Sequence, residues 1–207
     1  MDLRNNLEMA TANRNVTKGD ATRERLVEVA TELFGEHGYE ATSVESVLRV
    51  AGVSRGSLYH HFASKGALFA AVVESVEERV GAEVAAAAAG ASGAVEVLRR
   101  GGREWIKLAG EPVVQRVLLI DAPSVLGWEQ WRQVEERHAL GLVKAILESA
   151  ASEGLIETEM VDVMGHVLLA AVNEIALLVA RAGDPATATR LGSKALDEIL
   201  GSLFSGS

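Results

Sequence analysis

The sequence predicts an all-α protein, and three observations lead to that prediction. Apolar residues recur three and four positions apart along most of the 207 residues, which is the spacing of one helix face. Capping residues and glycines separate these periodic segments, as they do at the starts and ends of helices. No segment shows the strict alternation of apolar and polar residues that indicates a half-buried strand.

Composition excludes several classes of protein. The chain has no cysteine, which excludes disulfide frameworks and thiolate metal sites and fits a reducing cytoplasm. Residues 1–20 are too polar for a secretory signal. The longest apolar stretch, 161–180, is interrupted by Asp162, His166 and Glu174. We therefore interpret it as a buried or interface helix and predict no membrane partner.

The N-terminal segment, residues 1–19, lacks apolar periodicity and is predicted to be a disordered arm. It carries Arg4, Arg14 and Lys18. It is either a solvated tail or an arm that reaches into a nucleic-acid groove.

Two helices are predicted next. The first covers residues 20–37 and ends at Gly38, and its core stripe consists of Leu26, Val29, Ala30, Leu33 and Phe34. Thr42 and Glu45 fit a capping box, which predicts that the second helix starts there. Its apolar face consists of Val44, Val47, Leu48 and Ala51. Gly52 follows, where a left-handed residue ends the helix without Cβ strain.

A third helix begins after Ser54, a favourable N-cap, and places Leu58 and Phe62 on one face. Ser64 caps a fourth helix that starts at Lys65 and is long enough to connect two domains. Two helices joined by a glycine turn form the helix-turn-helix plan, whose second helix enters the major groove.

The charge pattern agrees with that plan. No acidic residue occurs between Glu45 and Glu74, although the formal net charge of the chain is -9. The acid-free window carries Arg49, Arg55, His60, His61 and Lys65. It therefore indicates a surface that meets phosphate.

The segment 21–69 resembles the N-terminal DNA-binding domain of the TetR family of bacterial transcriptional regulators. The matching elements are Gly38-Tyr39, Thr42, Ala-Gly-Val-Ser at 51–54 and the Leu-Tyr-x-His-Phe-x-Ser-Lys pattern at 58–65. One departure is Leu48, where the family usually has a small residue. The resemblance implies three parts: the arm at 1–19, a helix-turn-helix domain at 20–68, and a helical regulatory and dimerisation domain at 69–207.

The resemblance also implies roles for individual residues. Phosphate contacts map to Thr42, Tyr59, His61 and Lys65, and base contacts map to Arg55, Ser57 and His60. Ser54 starts the recognition helix, and Gly56 lets it approach the groove closely. Alternatives stay open: Tyr59 packs against the first helix, His61 is only solvated or capping, or Arg55 contacts phosphate instead of guanine.

Five further helices are predicted over 93–108, 111–122, 124–151 (or from Trp128), 159–182 and 184–204. Apolar and small residues recur along the last two, at Val161, Gly165, Leu168, Leu169, Val172, Ala176 and Val179, and at Leu191, Ala195, Ile199 and Leu203. These stripes either close the core of the monomer or form a homodimer. The resemblance favours a homodimer through a four-helix bundle, with two recognition helices on a palindromic site of double-stranded DNA.

A small-molecule effector of unknown identity is also implied by the resemblance. Candidates to line its pocket are Trp105, Leu118, Asp121, Trp128, Trp131, His138 and His166. Each of them either lines a pocket or packs in the core or at a dimer edge. Without a cluster of carboxylates or cysteines, we interpret His138 and His166 as ordinary histidines, and we predict no metal and no cofactor.

One motif points elsewhere. Residues 52–56 match G-x-S-x-G, but the hydrolase motif needs a preceding strand, and a helix is predicted there. The sequence therefore predicts a cytoplasmic, nucleoid-associated regulator and not an enzyme, one that represses at a palindromic operator and leaves it when an effector binds. Alternatives are control by a partner protein, activation instead of repression, or an enzyme of helical fold.

Overall fold

The computed structural model describes residues 3–204, and side chains from residue 19 onward. Within that part the chain forms helices and no strand, which confirms the predicted fold class. The helices are α1 (Leu3–Ala41), α2 (Val44–Ala51), α3 (Arg55–His61), α4 (Lys65–Ala88), α5 (Ala94–Leu108), α6 (Ala122–Arg137), α7 (Ala139–Ser152), α8 (Val161–Ala180) and α9 (Pro185–Phe204). A π-helical segment (Val114–Asp121) precedes α6, and a 3-10 turn (Thr158–Met160) precedes α8.

Helix α1 starts earlier than the periodicity predicts. It begins at Leu3, within the segment for which the sequence predicts a disordered arm, and it is interrupted at Gly38, as predicted, where φ is 82° and ψ is 168°. The side chains of Arg4, Arg14 and Lys18 lie outside the described residues. Groove insertion by the arm therefore stays a prediction.

The turn between α2 and α3 forms as its local signals predict. Gly52 adopts the left-handed conformation, with φ 70° and ψ 29°, and its N–H donates to the Leu48 carbonyl. The Ser54 hydroxyl accepts from the Ser57 N–H at 3.1 Å. The Ser64 hydroxyl in turn accepts from the Ala67 N–H at 3.1 Å and starts α4. Side-chain caps therefore fix the start of α3 and the start of α4.

The predicted cap of α2 is wrong by one residue. The Ser43 hydroxyl, not that of Thr42, accepts from the Ser46 N–H, at 3.0 Å. The Thr42 side chain is only 1% exposed, and its hydroxyl donates to the Gly38 carbonyl at 2.8 Å. Thr42 thus ties the start of α2 to the end of α1 from inside.

One hydrophobic core joins the N-terminal domain to the middle of the chain. Phe34 of α1 and Phe69 of α4 meet edge to face, with ring centroids 5.2 Å apart. The same cluster includes Val117 and Leu118 of the π-helical segment and Val134 of α6. The helix-turn-helix region, the π-helical segment and α6 therefore share one core.

The stretch between α5 and α7 differs from the prediction at two points. Residues 121–123 do not end a helix, because the π-helical segment runs directly into α6 and Pro123 lies in the first turn of α6, where a missing N–H is tolerated. The helix is interrupted at Gly127, where φ is 75° and ψ is 164°, so its regular part restarts at Trp128, the later of the two predicted starts.

The helix predicted over 124–151 is also divided, at His138, where φ is -114° and ψ is -98°. Arg137 and His138 both contact the carboxylate of Glu74 on α4. Glu74 precedes Arg137 by 63 positions and His138 by 64 positions in the sequence. Helical periodicity carries no signal of such a long-range contact.

A second core lies at the far end of the molecule, among α5, α7, α8 and α9, and includes Ile106, Leu147, Leu168 and Leu196. The stretch Thr158–Ala180, which includes α8, is long and apolar enough to cross a membrane by length and composition alone. Here its buried side chains pack against the neighbouring helices, as those of a core helix do.

Candidate DNA-binding surface and internal cavity

Helix α3 displays most of the residues predicted to contact DNA. Arg55 and His60 are exposed, and Tyr59 is 46% exposed, so its ring does not pack in the core. Apart from Thr42, every residue of the predicted set is exposed or half-buried and lies at the start of α3, along α3 or at the start of α4. These residues are Ser54, Arg55, Gly56, Ser57, Tyr59, His60, His61 and Lys65.

Thr42 does not belong to this surface. Its hydroxyl donates to main-chain carbonyls, including that of Leu33 at 3.1 Å, and is closed to solvent. Ser43 occupies the exposed N-terminal position of α2 instead, and its hydroxyl caps that helix. Two adjacent hydroxyl residues in the sequence gave no sign of which one would be buried.

Arg55 has a partner within the chain. Its guanidinium contacts the carboxylate of Glu45 on α2, and both side chains are exposed. An exposed ion pair of this kind contributes little to stability, so Arg55 can exchange Glu45 for a base or a phosphate. The contact links the first residue of α3 to the first turn of α2.

Replacing Arg55 by alanine tests whether this side chain reads a base. Binding to the best operator should weaken by about 1–3 kcal/mol, and preference should relax at one position of each half-site. Binding measurements on operators substituted at single positions would show this. An equal loss on every sequence would make Arg55 a phosphate contact.

Lys65 lies beside the same surface, at the start of α4. Its ammonium group sits over the Tyr39 ring, 4.0 Å from the centroid, in a cation–π contact. The Tyr39 ring in turn contacts Phe34 and Phe69, with centroids 5.7 and 5.0 Å away. The position of Lys65 therefore depends on the corner that carries Tyr39.

Replacing Lys65 by alanine should weaken binding to all DNA sequences and lower the salt slope of the affinity by about one unit. Lys107→Ala is a suitable control, because Lys107 is exposed on α5 and paired with Glu104. A salt series with both variants measures the slopes. An unchanged slope in Lys65→Ala would remove this residue from the footprint.

The kink near the end of α1 is held by the π-helical segment. The Asp121 carboxylate, at the end of the π-helical segment, accepts from the Tyr39 N–H at 2.7 Å and from Arg116 Nε at 3.3 Å. The Arg116 guanidinium lies against Gly38, where a Cβ would overlap it. We call Gly38, Tyr39, Arg116 and Asp121 the interdomain corner. The sequence analysis missed this role because the contact spans 82 positions.

A cavity of about 540 Å³ opens between α4, α5, α7, α8 and α9. Its walls are mostly aliphatic, and its polar lining residues are Glu77, Glu78, Trp105, Arg137 and His138. A volume of this size suits a small organic ligand, and a few polar groups among apolar walls are typical of binding sites.

The polar end of the cavity is formed by α4 and the α6–α7 junction. Burial opposes ionisation of Glu74, but hydrogen bonds from His138, at 2.6 Å, and from Arg137 lower the pKa of Glu74 overall. One helical turn on, burial raises the pKa of Glu77 to about 7, with nearby Glu135 and Glu74 adding to the shift and His138 opposing it.

Comparison with known proteins identifies the family. A family model described as "Bacterial regulatory proteins, tetR family" matches residues 26–72. A second, described as "Tetracyclin repressor-like, C-terminal domain", matches residues 95–203, more than half of the chain. The chain belongs to the TetR family. Members of this family are bacterial regulatory proteins.

Individual relatives agree with this assignment. The HTH-type transcriptional regulator UidR of Escherichia coli K12 is 38% identical over 63 residues, which cover 30% of this chain and 32% of that protein. The repressor AcnR of Corynebacterium glutamicum is 38% identical over 88 residues, which cover 41% of this chain and 44% of that protein. These alignments thus span less than half of the curated relatives. The crystal structure of a TetR-family regulator from Pectobacterium atrosepticum superposes with a TM-score of 0.75 and 27% identity. The superposition covers 91% of this chain and 96% of that chain.

Within this TetR-family fold, only part of the predicted pocket set lines the cavity. Trp105 and His138 do so. Leu118 is buried in the first core, and Asp121 belongs to the interdomain corner. The remaining three lie outside the cavity lining: Trp128, which is 67% exposed, Trp131, which contacts it, and His166, which lies near Asp162.

Proposed function

We propose that this TetR-family chain is a homodimeric repressor that binds a palindromic operator and leaves it when a small molecule occupies the cavity. The observation that carries the proposal is the course of α4. This helix begins at Lys65 on the DNA-binding surface and lines the cavity from Glu77 to Ala88. One rigid element therefore connects the two sites.

An effector acts only if it binds one arrangement of the domains better than another. A ligand that displaces α4 or the π-helical segment changes the support of the interdomain corner and so the position of Lys65. The Asp121–Tyr39 hydrogen bond passes such a shift to Tyr39, whose ring contacts Lys65 beside the DNA-binding surface. Two recognition helices must lie about 34–36 Å apart to read successive turns of DNA, so a small rotation weakens binding.

The dimer contact needs an exposed apolar face, and α8 has one. Val163, Val167 and Leu178 are 54%, 49% and 64% exposed and lie on one side of α8. Leu191 of α9 is also exposed. Most of the α8 stripe predicted for the interface is instead buried in the monomer: Val161, Gly165, Leu168, Leu169, Ala176 and Val179. The exposed face is therefore the better candidate for the four-helix interface.

Replacing Val167 by glutamate should weaken dimerisation at least tenfold, or about 1.4 kcal/mol, because a charge would lie in an apolar interface. Val50→Glu is the control, since Val50 is 47% exposed on α2, away from α8. Sedimentation of both variants over a concentration series measures the dissociation constant. If Val167→Glu stays as dimeric as Val50→Glu, this face is not the interface.

The repressor proposal is tested by operator release. Small molecules are screened for loss of operator binding, and the screen is repeated with Val172→Trp, which adds bulk to the cavity lining on α8. The variant should bind the operator normally and respond to effectors at least tenfold more weakly. Release that is equal in both proteins would place the effector elsewhere. A reporter gene that falls on deletion of the regulator would indicate an activator.

A further inference from the structure

Two carboxyl groups line the cavity: that of Glu78 is exposed to solvent, whereas that of Glu77 is half-buried. Glu77 makes no hydrogen bond or ion pair with any other described residue. Its carboxylate neighbours are both engaged: Glu74 with Arg137 and His138, and Glu135 with Arg132 at 2.9 Å. Among the groups of this acidic region, Glu77 is the one free to meet a ligand inside the cavity.

The cations at this end of the cavity are already occupied. Arg137 and His138 line the cavity, but both contact the carboxylate of Glu74. An anionic ligand would have to displace that contact and would then face Glu77. A cationic ligand is favoured here, because Glu77 offers an unpaired acceptor and its surroundings already disfavour a further negative charge.

The rest of the cavity is apolar. Beyond the polar end, the walls are formed by aliphatic side chains from five helices, including Val84, Val97, Ile146, Val172 and Leu196. Burial of apolar surface against these walls is the main source of affinity available there. A single charged contact at one end would orient such a ligand.

We infer that the effector is an organic amine or other cation with an elongated apolar body, whose nitrogen binds the Glu77 carboxylate. This rests on the proposed function only in taking the cavity as the effector site. Glu77 binds the cation in its ionised form, so a protonated Glu77 gives up its proton to the buffer when the ligand enters.

Three probes with the same chain length test the class of ligand: decylammonium, 1-decanol and decanoate. Calorimetry with the full chain should give decylammonium an affinity at least tenfold higher than either of the other two. Binding at pH 7 should also release about half a proton, since a group with a pKa of about 7 is half protonated there. Titrations in two buffers with different heats of ionisation measure that release.

Glu77→Gln keeps the shape of the side chain and removes its charge. It should lower decylammonium affinity at least tenfold, to the level of decanol, and abolish proton release. Glu148→Gln is the matched control, because Glu148 is exposed on α7 and does not line the cavity; it should change affinity less than threefold. Decanoate binding as tightly as decylammonium, or Glu77→Gln without effect, would overturn the inference.

Operator release, measured with the same probes, separates this inference from the proposed function. If decylammonium binds through Glu77 but leaves operator binding unchanged, the ligand class stands and the repressor mechanism fails. If decanoate rather than decylammonium binds and releases the operator, the mechanism stands and the ligand class fails. If none of the three probes binds, the inference is overturned.

Discussion

Replacing Gly38 by alanine is expected to lower the free energy of unfolding by about 3 kcal/mol, one of the two largest effects expected here. Gly38 has φ 82° and ψ 168°, a region that is essentially restricted to glycine. An added Cβ would also overlap the Arg116 guanidinium. Arg116 can make room only by moving away, which breaks its contact with Asp121.

Two controls separate these causes. Gly52→Ala places a Cβ in the left-handed conformation with no atom within 4 Å, so it should cost only about 1 kcal/mol. In an Arg116→Ala background, Gly38→Ala should cost less than it does alone, because the overlap is gone. Denaturant unfolding at one protein concentration measures the free energy of unfolding of the three single variants, of the double variant and of the unsubstituted protein. Equal losses for Gly38→Ala and Gly52→Ala would contradict the crowding at the interdomain corner.

Replacing Asp121 by alanine should lower the free energy of unfolding by about 2–3 kcal/mol. Asp121 is 8% exposed and accepts from the Tyr39 N–H and from Arg116, and the substitution leaves both donors without that acceptor. Operator affinity should fall about tenfold in the folded protein, or about 1.4 kcal/mol, because Tyr39 supports Lys65.

Asp184→Ala is the matched control for Asp121→Ala. Asp184 also accepts a main-chain hydrogen bond, from the Thr187 N–H at 3.2 Å, but it is an exposed cap of α9. Its loss should cost about 1 kcal/mol in unfolding and leave operator affinity unchanged. If Asp121→Ala behaves like Asp184→Ala in both measurements, the interdomain corner does not couple the domains.

The sequence predicted best where short-range signals decide the structure. Gly52, Ser54 and Ser64 each act within a few residues, and the structure has them as predicted. The family pattern over 58–65 agrees with helix α3, whereas the roles it implies for the side chains stay predictions. The capping residue of α2 was misassigned because Thr42 and Ser43 are both good caps, and only packing against α1 decides between them.

Features that depend on distant contacts were not predictable in this way. The division at His138 follows from its contact with Glu74, and the role of Asp121 follows from Tyr39. The cavity likewise depends on how five helices pack, so tryptophan near a helix break was a poor guide to its lining. Trp128 is exposed, whereas Glu77, which no motif marked, lies in the cavity.

Selection of bound fragments from random DNA, followed by binding to the best one, tests the central claim most directly. The account predicts a palindrome with half-sites about 10 base pairs apart, one dimer per site, and an affinity that falls steeply with salt. Enrichment of no sequence, or binding of a monomer to an asymmetric site, would contradict the account of a dimeric operator-binding regulator.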